Sequence, residues 1–281
     1  MAKLIKNGSL VTADETFTAD ILIEGERISK IGENLEHPNA DVIDATGKLI
    51  LPGGIDPHVH LDLPMFGTVS TDDHYTGHKA AAFGGTTTVM DFVVLEESPS
   101  PTGRGARGEG DFNYSIDLWM KKAEKAAIDY SFHMNLTQFN EKIAKEIPSL
   151  MEMGIQTLKV FTAYNGRLRI DDGSIFKAMQ IARDNGMLVM AHCENGDVIE
   201  TLTEQALAAG HTSPEWHALT RPAWGAVEAG LRVAGMASAA DASAYIVHIN
   251  VGGEVDMLKY ARERGVKVMG ETCPQYLFFT E

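Results

Sequence analysis

Cysteine is nearly missing from this chain. Cys193 and Cys273 are the two in 281 residues, which leaves no disulfide framework and no C-x-x-C zinc pair, and a reducing cytosol is expected. Positive charge is also scarce. Lys and Arg number 24 against 39 Asp and Glu, a net charge of -15, the wrong sign for nucleic-acid or anionic-membrane binding. Small molecules are the partners this leaves. No apolar run reaches membrane-spanning length, and the start Met1-Ala2-Lys3-Leu4-Ile5-Lys6 has no apolar signal core, so a soluble, untargeted, cytoplasmic protein is expected. What the chain does have is 44% hydrophobic content, enough at this length for a large α/β core, alone or with a small attachment.

Residues 3 to 54 read as short strands and turns. Ile21-Leu22-Ile23, the turn Glu24-Gly25-Glu26 and the alternating arm Arg27-Ile28-Ser29-Lys30-Ile31 predict a hairpin whose turn needs its glycine. Leu51-Pro52-Gly53-Gly54 ends this segment, 1–54, which is expected to be the N-terminal part of a small β-sandwich module. From residue 55 to 281 the pattern changes to a βα rhythm. Strands are expected near 55–60, 86–93, 129–135, 156–162, 187–192, 244–248 and 266–271, with helices between them that stop at Gly84, Gly154, Gly186 and Gly265. Seven βα-type strands imply a parallel sheet, and the count fits a (β/α)8 barrel lacking its last strand. A doubly wound open sheet is the rival, but no G-x-G-x-x-G follows any strand.

The chain is organised around Gly53-Gly54-Ile55-Asp56-Pro57-His58-Val59-His60. Side chains alternate along a strand, so His58 and His60 share a face, which is half a metal site. H-x-H is a weak pattern by itself. The C-terminal strand ends of a barrel ring one mouth, however, and there His192 ends the fifth strand and His248 the sixth. A lone histidine at a strand end is usually a satisfied polar residue; four at one mouth point to a metal site. Lys159 ends the fourth strand among apolar neighbours. Either it pairs with a carboxylate, or burial lowers its pKa and the neutral amine takes up carbon dioxide, giving a carbamate whose two oxygens can bridge two metal ions. Spacing does not decide between these.

Together with Ala81–Thr88, Leu158–Tyr164, His192-Cys193-Glu194-Asn195-Gly196, His217–Pro222 and Gly270–Leu277, that stretch resembles the dihydropyrimidinase/hydantoinase family of cyclic amidohydrolases along essentially the whole chain. The resemblance implies that His58 and His60 bind one divalent ion and His192 and His248 a second, bridged by carboxylated Lys159. It also implies that Tyr164 polarises the substrate carbonyl oxygen. Imidazole and carboxylate-type ligands fit zinc, with manganese an alternative. The activity implied is the opening of dihydropyrimidine or 5-substituted hydantoin rings by a water activated between the two ions, in a homo-oligomer, commonly a tetramer. Relatives that are non-catalytic assembly proteins lack these ligands; here they are retained.

The family's last ligand, an aspartate on the eighth strand, has no counterpart before Glu281. The chain is therefore expected to be C-terminally incomplete, with exposed strand edges and poor solubility alone. Met65, Phe66 and Phe161 are the expected substrate-facing residues, favouring an apolar or aromatic substituent unless they simply pack the rim. Asp62 stands where a dihydroorotase carries arginine, which disfavours a carboxylate-bearing ring, whereas an allantoinase is harder to separate. His74 and His78 lack the glutamate of a zinc-protease helix and read as surface or loop residues. Cys193 reads as an inert core thiol, Glu97–Gly105 as a loop, and His217 and Arg221 as supports of a crossover loop.

Overall fold

The computed structural model describes residues 1–65, 67–96 and 110–279. The chain divides into two compact units, Met1–Ile55 with Phe83–Thr88, and Asp56–Ala82 with Val89–Glu281.

The first unit holds β1 (Ala2–Val11), β2 (Thr16–Glu24), β3 (Arg27–Gly32), β4 (Ala40–Asp44) and β5 (Leu49–Ile50). The order is β3-β2-β1-β4, with β5 also on β1; β1 to β3 are antiparallel, while β4 and β5 run parallel to β1. Glu24 pairs with Arg27, so the hairpin turns on Gly25 and Glu26, and Gly25 takes the left-handed φ of 63° that such a turn demands. Leu10, Ala19 and Ile21 form its core. The alternation along β3 marks an extended strand and not a buried face. It is an edge strand, and Ile28 and Ile31 remain exposed.

The remaining strands are β6 (Gly54–Val59), β7 (Pro64–Met65), β8 (Thr68–Val69), β9 (Thr86–Val93), β10 (Asp129–Asn135), β11 (Thr157–Phe161), β12 (Leu188–His192), β13 (Ala244–Ile246) and β14 (Val268–Gly270). All except the small β7–β8 hairpin form one sheet in the order β14-β13-β12-β11-β10-β9-β6, and the pairs from β10 to β14 are parallel. Spatial neighbours are thus sequence neighbours throughout. A doubly wound sheet must reverse its order at a switch point, and this one never does, so the seven strands are the wall of a (β/α)8-type barrel.

Between them run α1 (His74–Phe83), α2 (Phe112–Lys122), α3 (Glu141–Glu146), α4 (Asp172–Asp184), α5 (Gly196–Ala208), α6 (Trp216–Leu219), α7 (Ala223–Ala240) and α8 (Gly252–Arg262). Local chemistry fixes many of their ends. Asp111, Asn140, Asp171 and Asn195 each cap a helix by accepting a backbone N–H three residues on, worth about 1 kcal/mol apiece. Gly154, Gly186 and Gly265 have left-handed φ as their stop positions require, but after α1 it is Gly85 and not Gly84 that does so. At the end of α7 the left-handed position is Asp241, which carries no glycine signal.

Two layers of side chains follow from strand alternation. Leu158, Val160, Val189, Ala191, Ala244 and Ile246 face outward into a core shared with Trp119, Ile175, Met179, Val233 and Met257 from the helices. The other parity faces inward, where Asn135, Lys159, Met190, Tyr245 and Met269 share one register row. Phe92, Met190 and Val247 pack together on that side. Phe161 and His192, paired in register, stand one step higher. Lys159 is polar because it belongs to the inner row; its apolar sequence neighbours face the helices.

Candidate metal centre

Strand parity brings His58, His60 and His192 to the inner face. His248 follows Val247, which already points inward, so regular alternation would turn His248 away. A left-handed backbone at His248, φ 42°, breaks the alternation and swings the ring in. Non-glycine residues held in this region cost on the order of 1–3 kcal/mol and concentrate at functional sites. The outcome is one cluster. Ring centroids of His58 and His60 lie 5.1 Å apart, His58 and His248 5.7 Å, and His192 and His248 4.7 Å. Lys159, 2% exposed, holds its ammonium 5.1 Å from the Phe92 ring and 5.4 Å from that of Phe161. The Phe92 ring is a platform, 4.6 Å from His58 and 4.9 Å from His60.

Burial disfavours the charged form of Lys159, His60, His192 and His248. Burial pushes Lys159 down to about 7, partly opposed by the Glu271 carboxylate. His248 falls to about 2 through burial and then the neighbouring His192. His192 is lowered by burial against the opposing pull of Glu194. His60 keeps a solvent-exposed edge, and it too is lowered, by desolvation first and then by His58. Lys159 depresses His60, His133, His192 and His248 alike, which puts it within electrostatic reach of nearly the whole cluster. Neutral imidazoles are the form that binds a cation.

Three participants were not assigned from the sequence. Glu271 pairs with His58 Nδ1 and accepts from the Tyr245 hydroxyl at 3.1 Å. Glu194 Oε2 lies 2.7 Å from His192 Nε2 and its other oxygen 3.8 Å from Arg221. His133 bonds the Pro57 carbonyl through Nε2 at 2.9 Å and Thr157 through Nδ1, tying β6 just before His58 to β10; burial lowers it to about 4. A carboxylate on one ring nitrogen fixes the tautomer and leaves the other to face the cluster. His74 and His78 also differ from expectation. They are not on the surface but 1% and 0% exposed, inside α1.

Tyr164 stands on the loop after β11 with φ 66°, its ring 5.0 Å from that of His192 and 6.2 Å from Phe161. Burial and the nearby Glu194 raise its pKa, so the hydroxyl keeps its proton. A cleft of about 350 Å³ opens beside it, lined by Tyr164, Arg167, Glu194, Glu200, Glu204 and Arg221 among others. The Phe161 ring lies 5.8 Å from that of His192. Met65 lies in β7 and packs on the main core, and Phe66 falls outside the described residues, as does the whole of the 97–105 loop. Cys193 is buried with a strongly raised pKa, as an inert thiol should be. Arg221 donates to the His217 carbonyl at 2.8 Å, a loop support that also reaches Glu194.

Among the described residues no three His, Cys, Asp or Glu side chains form a finished metal cage. The donor set is two pairs of imidazoles, each short of the four ligands zinc takes, around a buried amine. His192 Nδ1 and His248 Nε2 approach to 2.9 Å. These residues fit a pair of divalent ions if Lys159 contributes anionic oxygen to both.

Residues 49–274 match the amidohydrolase family. A D-hydantoinase of Geobacillus stearothermophilus is 45% identical over 279 residues, covering 99% of this chain and 57% of the relative. A dihydropyrimidinase of Dictyostelium discoideum is 38% identical, covering 95% and 52%. Among solved structures, dihydropyrimidinase from Brevibacillus agri NCHU1002 superposes with a TM-score of 0.93 at 46% identity, over 99% of this chain and 59% of that one. The chain spans somewhat more than half the length of these relatives. No helix among the described residues is long and apolar enough to cross a membrane. With the family match covering most of its length and this arrangement at its barrel mouth, the chain belongs to the amidohydrolase family.

Proposed function

We propose that this chain carries the metal-holding part of a hydantoinase or dihydropyrimidinase that opens cyclic amide or imide rings to N-carbamoyl amino acids. His58 and His60 would hold one divalent ion and His192 and His248 another, with carboxylated Lys159 supplying anionic oxygen to them; zinc suits the donors, with manganese an alternative. The single observation that carries the proposal is the convergence of four imidazoles from three strands around one buried lysine whose pKa is about 7. The names of the relatives supply the substrate class. Free Cys193 and Cys273 suit a cytoplasmic protein, and a homotetramer is proposed on the family resemblance alone.

Each residue has a task. Near neutral pH a large share of Lys159 is the free amine, whose nitrogen lone pair attacks the carbon of carbon dioxide. A C–N bond forms, one C=O electron pair moves onto oxygen, and a proton leaves the nitrogen, so the neutral amine becomes an anionic carbamate. Bound divalent ions would supply a water made nucleophilic near neutral pH, with a pKa of about 7. The Tyr164 hydroxyl donates a hydrogen bond to the substrate carbonyl oxygen as negative charge builds there. Phe161 offers an apolar wall for the ring substituent. Glu194 and Glu271 orient His192 and His58.

The test uses the full natural protein. Expected are two equivalents of zinc or manganese by elemental mass spectrometry, one carbon dioxide of added mass on the Lys159 peptide, and ring opening of dihydrouracil or a 5-substituted hydantoin faster than of allantoin. No metal and no carbamate would sink the proposal and favour a non-catalytic assembly role; faster turnover of allantoin would move the substrate class.

A further inference from the structure

A buried carboxylate stands directly behind the histidine pair. Asp91, on β9, is 0% exposed, and a charge there is tolerable only if its oxygens find donors. Oδ1 accepts from the backbone N–H of Phe92 at 2.8 Å and of Leu61 at 3.4 Å. Both donors touch the site: Leu61 follows His60, and Phe92 carries the ring platform beneath His58 and His60. The same platform ring lies 4.6 Å from His133. One carboxylate oxygen therefore holds the chain just past one ligand and the ring against which both are packed.

The second oxygen meets α1. Asp91 Oδ2 lies 3.3 Å from His74 Nε2, both side chains fully buried, and neither atom makes a hydrogen bond among the described residues, so the contact is a close polar approach and not an aligned hydrogen bond. The protons in this row can be assigned. The Ile128 backbone N–H donates to His78 Nδ1 at 3.5 Å, so the His78 proton resides on Nε2, which faces His74 Nδ1 at 3.4 Å. That nitrogen accepts, and the His74 proton is left on Nε2, aimed at Asp91. The row runs one way, from the Ile128 N–H through the two imidazoles, and its last nitrogen faces the carboxylate at 3.3 Å. Two buried histidines with no part in the chemistry acquire a purpose: they pack against Asp91 and orient it.

We infer that Asp91 is a positioning residue for the metal-binding pair His58 and His60, and that His74 and His78 hold it in place. The inference rests on the metal reading above. Partners that orient ligands in this way alter metal affinity by about 10- to 100-fold when removed.

The test is a chelator competition on the full natural protein, stripped of metal and titrated with zinc, for D91N, H74L, H74Q and H78Q, alongside the Tm of each metal-free protein. In D91N an amide N–H would face the His74 N–H, donor against donor. D91N and H74L should bind zinc at one of the two sites at least tenfold more weakly. H74Q, whose amide N–H can reach the carboxylate, should recover most of that loss although its metal-free Tm equals that of H74L. H78Q should show a smaller loss of the same sign, and serves if the other variants do not fold. Wild-type affinity in all variants, or H74Q no better than H74L, or losses that simply track Tm, would overturn the inference. If the wild-type protein itself binds no zinc, the metal reading fails instead.

Discussion

His192 Nδ1 and His248 Nε2 lie 2.9 Å apart across 56 residues of sequence, and both rings are driven towards neutrality by burial. The sign of the resulting pH dependence is fixed. His133 and His248, ordinarily near 6.5, are held at about 4 and about 2 in the folded chain, so below pH 6.5 the unfolded state takes up protons that the folded state refuses. Stability of the metal-free protein should therefore fall as pH drops from 6.5 towards 4, read from urea midpoints. H248N should flatten that fall; an unchanged slope would show that His248 does not contribute to it.

Lys159 acts at the other end of the scale. Its pKa of about 7 against an ordinary 10.5 means that between these values the unfolded chain binds a proton the folded chain does not. Stability of the unmodified, metal-free protein should rise with pH from 7 towards 10 and then level, whereas K159M should show no such rise and should be the more stable of the two at pH 7. K159M should also lose both metals and all ring-opening activity. Retention of two metal equivalents in K159M would refute a bridging role.

Tyr164 tests the electrophilic half of the proposal. Removing a single donor to a developing oxyanion costs about 100- to 1,000-fold in kcat, so Y164F should lose activity on that scale while metal content and Tm stay at wild-type values. A change confined to KM would reassign the hydroxyl to ground-state binding.

Much of the barrel was legible because its signals are local. Short apolar runs marked all seven strands, and glycine stops bounded several of the helices between them, Gly84 being one residue short of the left-handed Gly85. The histidine cluster was legible as positions at strand ends, but the reason His248 faces inward was not, since that depends on a single left-handed residue. His133 escaped because its partners are a backbone carbonyl and a threonine hydroxyl, neither of which leaves a motif. His74 and His78 were misplaced because a polar residue four apart from another reads as solvated until the carboxylate that justifies its burial, Asp91, arrives from a different strand.

The sheet order ends at β6 on one side and β14 on the other, and unpaired strand edges recruit other chains. Phe278 and Phe279, close after β14, are 80% and 75% exposed. The 281-residue polypeptide expressed by itself should bind a hydrophobic dye and elute as mixed oligomers. A monodisperse, dye-silent and fully active preparation would contradict this.

The backbone at His248 sets durability against purpose. Glycine or asparagine relaxes a residue at φ 42°, so the most heat-tolerant side chain for that position is one that cannot do the imidazole's job. Laboratory selection for survival on heating, with no demand for turnover, should drift towards H248G or H248N and yield sturdier proteins with nothing to catalyse; selection for turnover should keep the histidine and the fragility that comes with it.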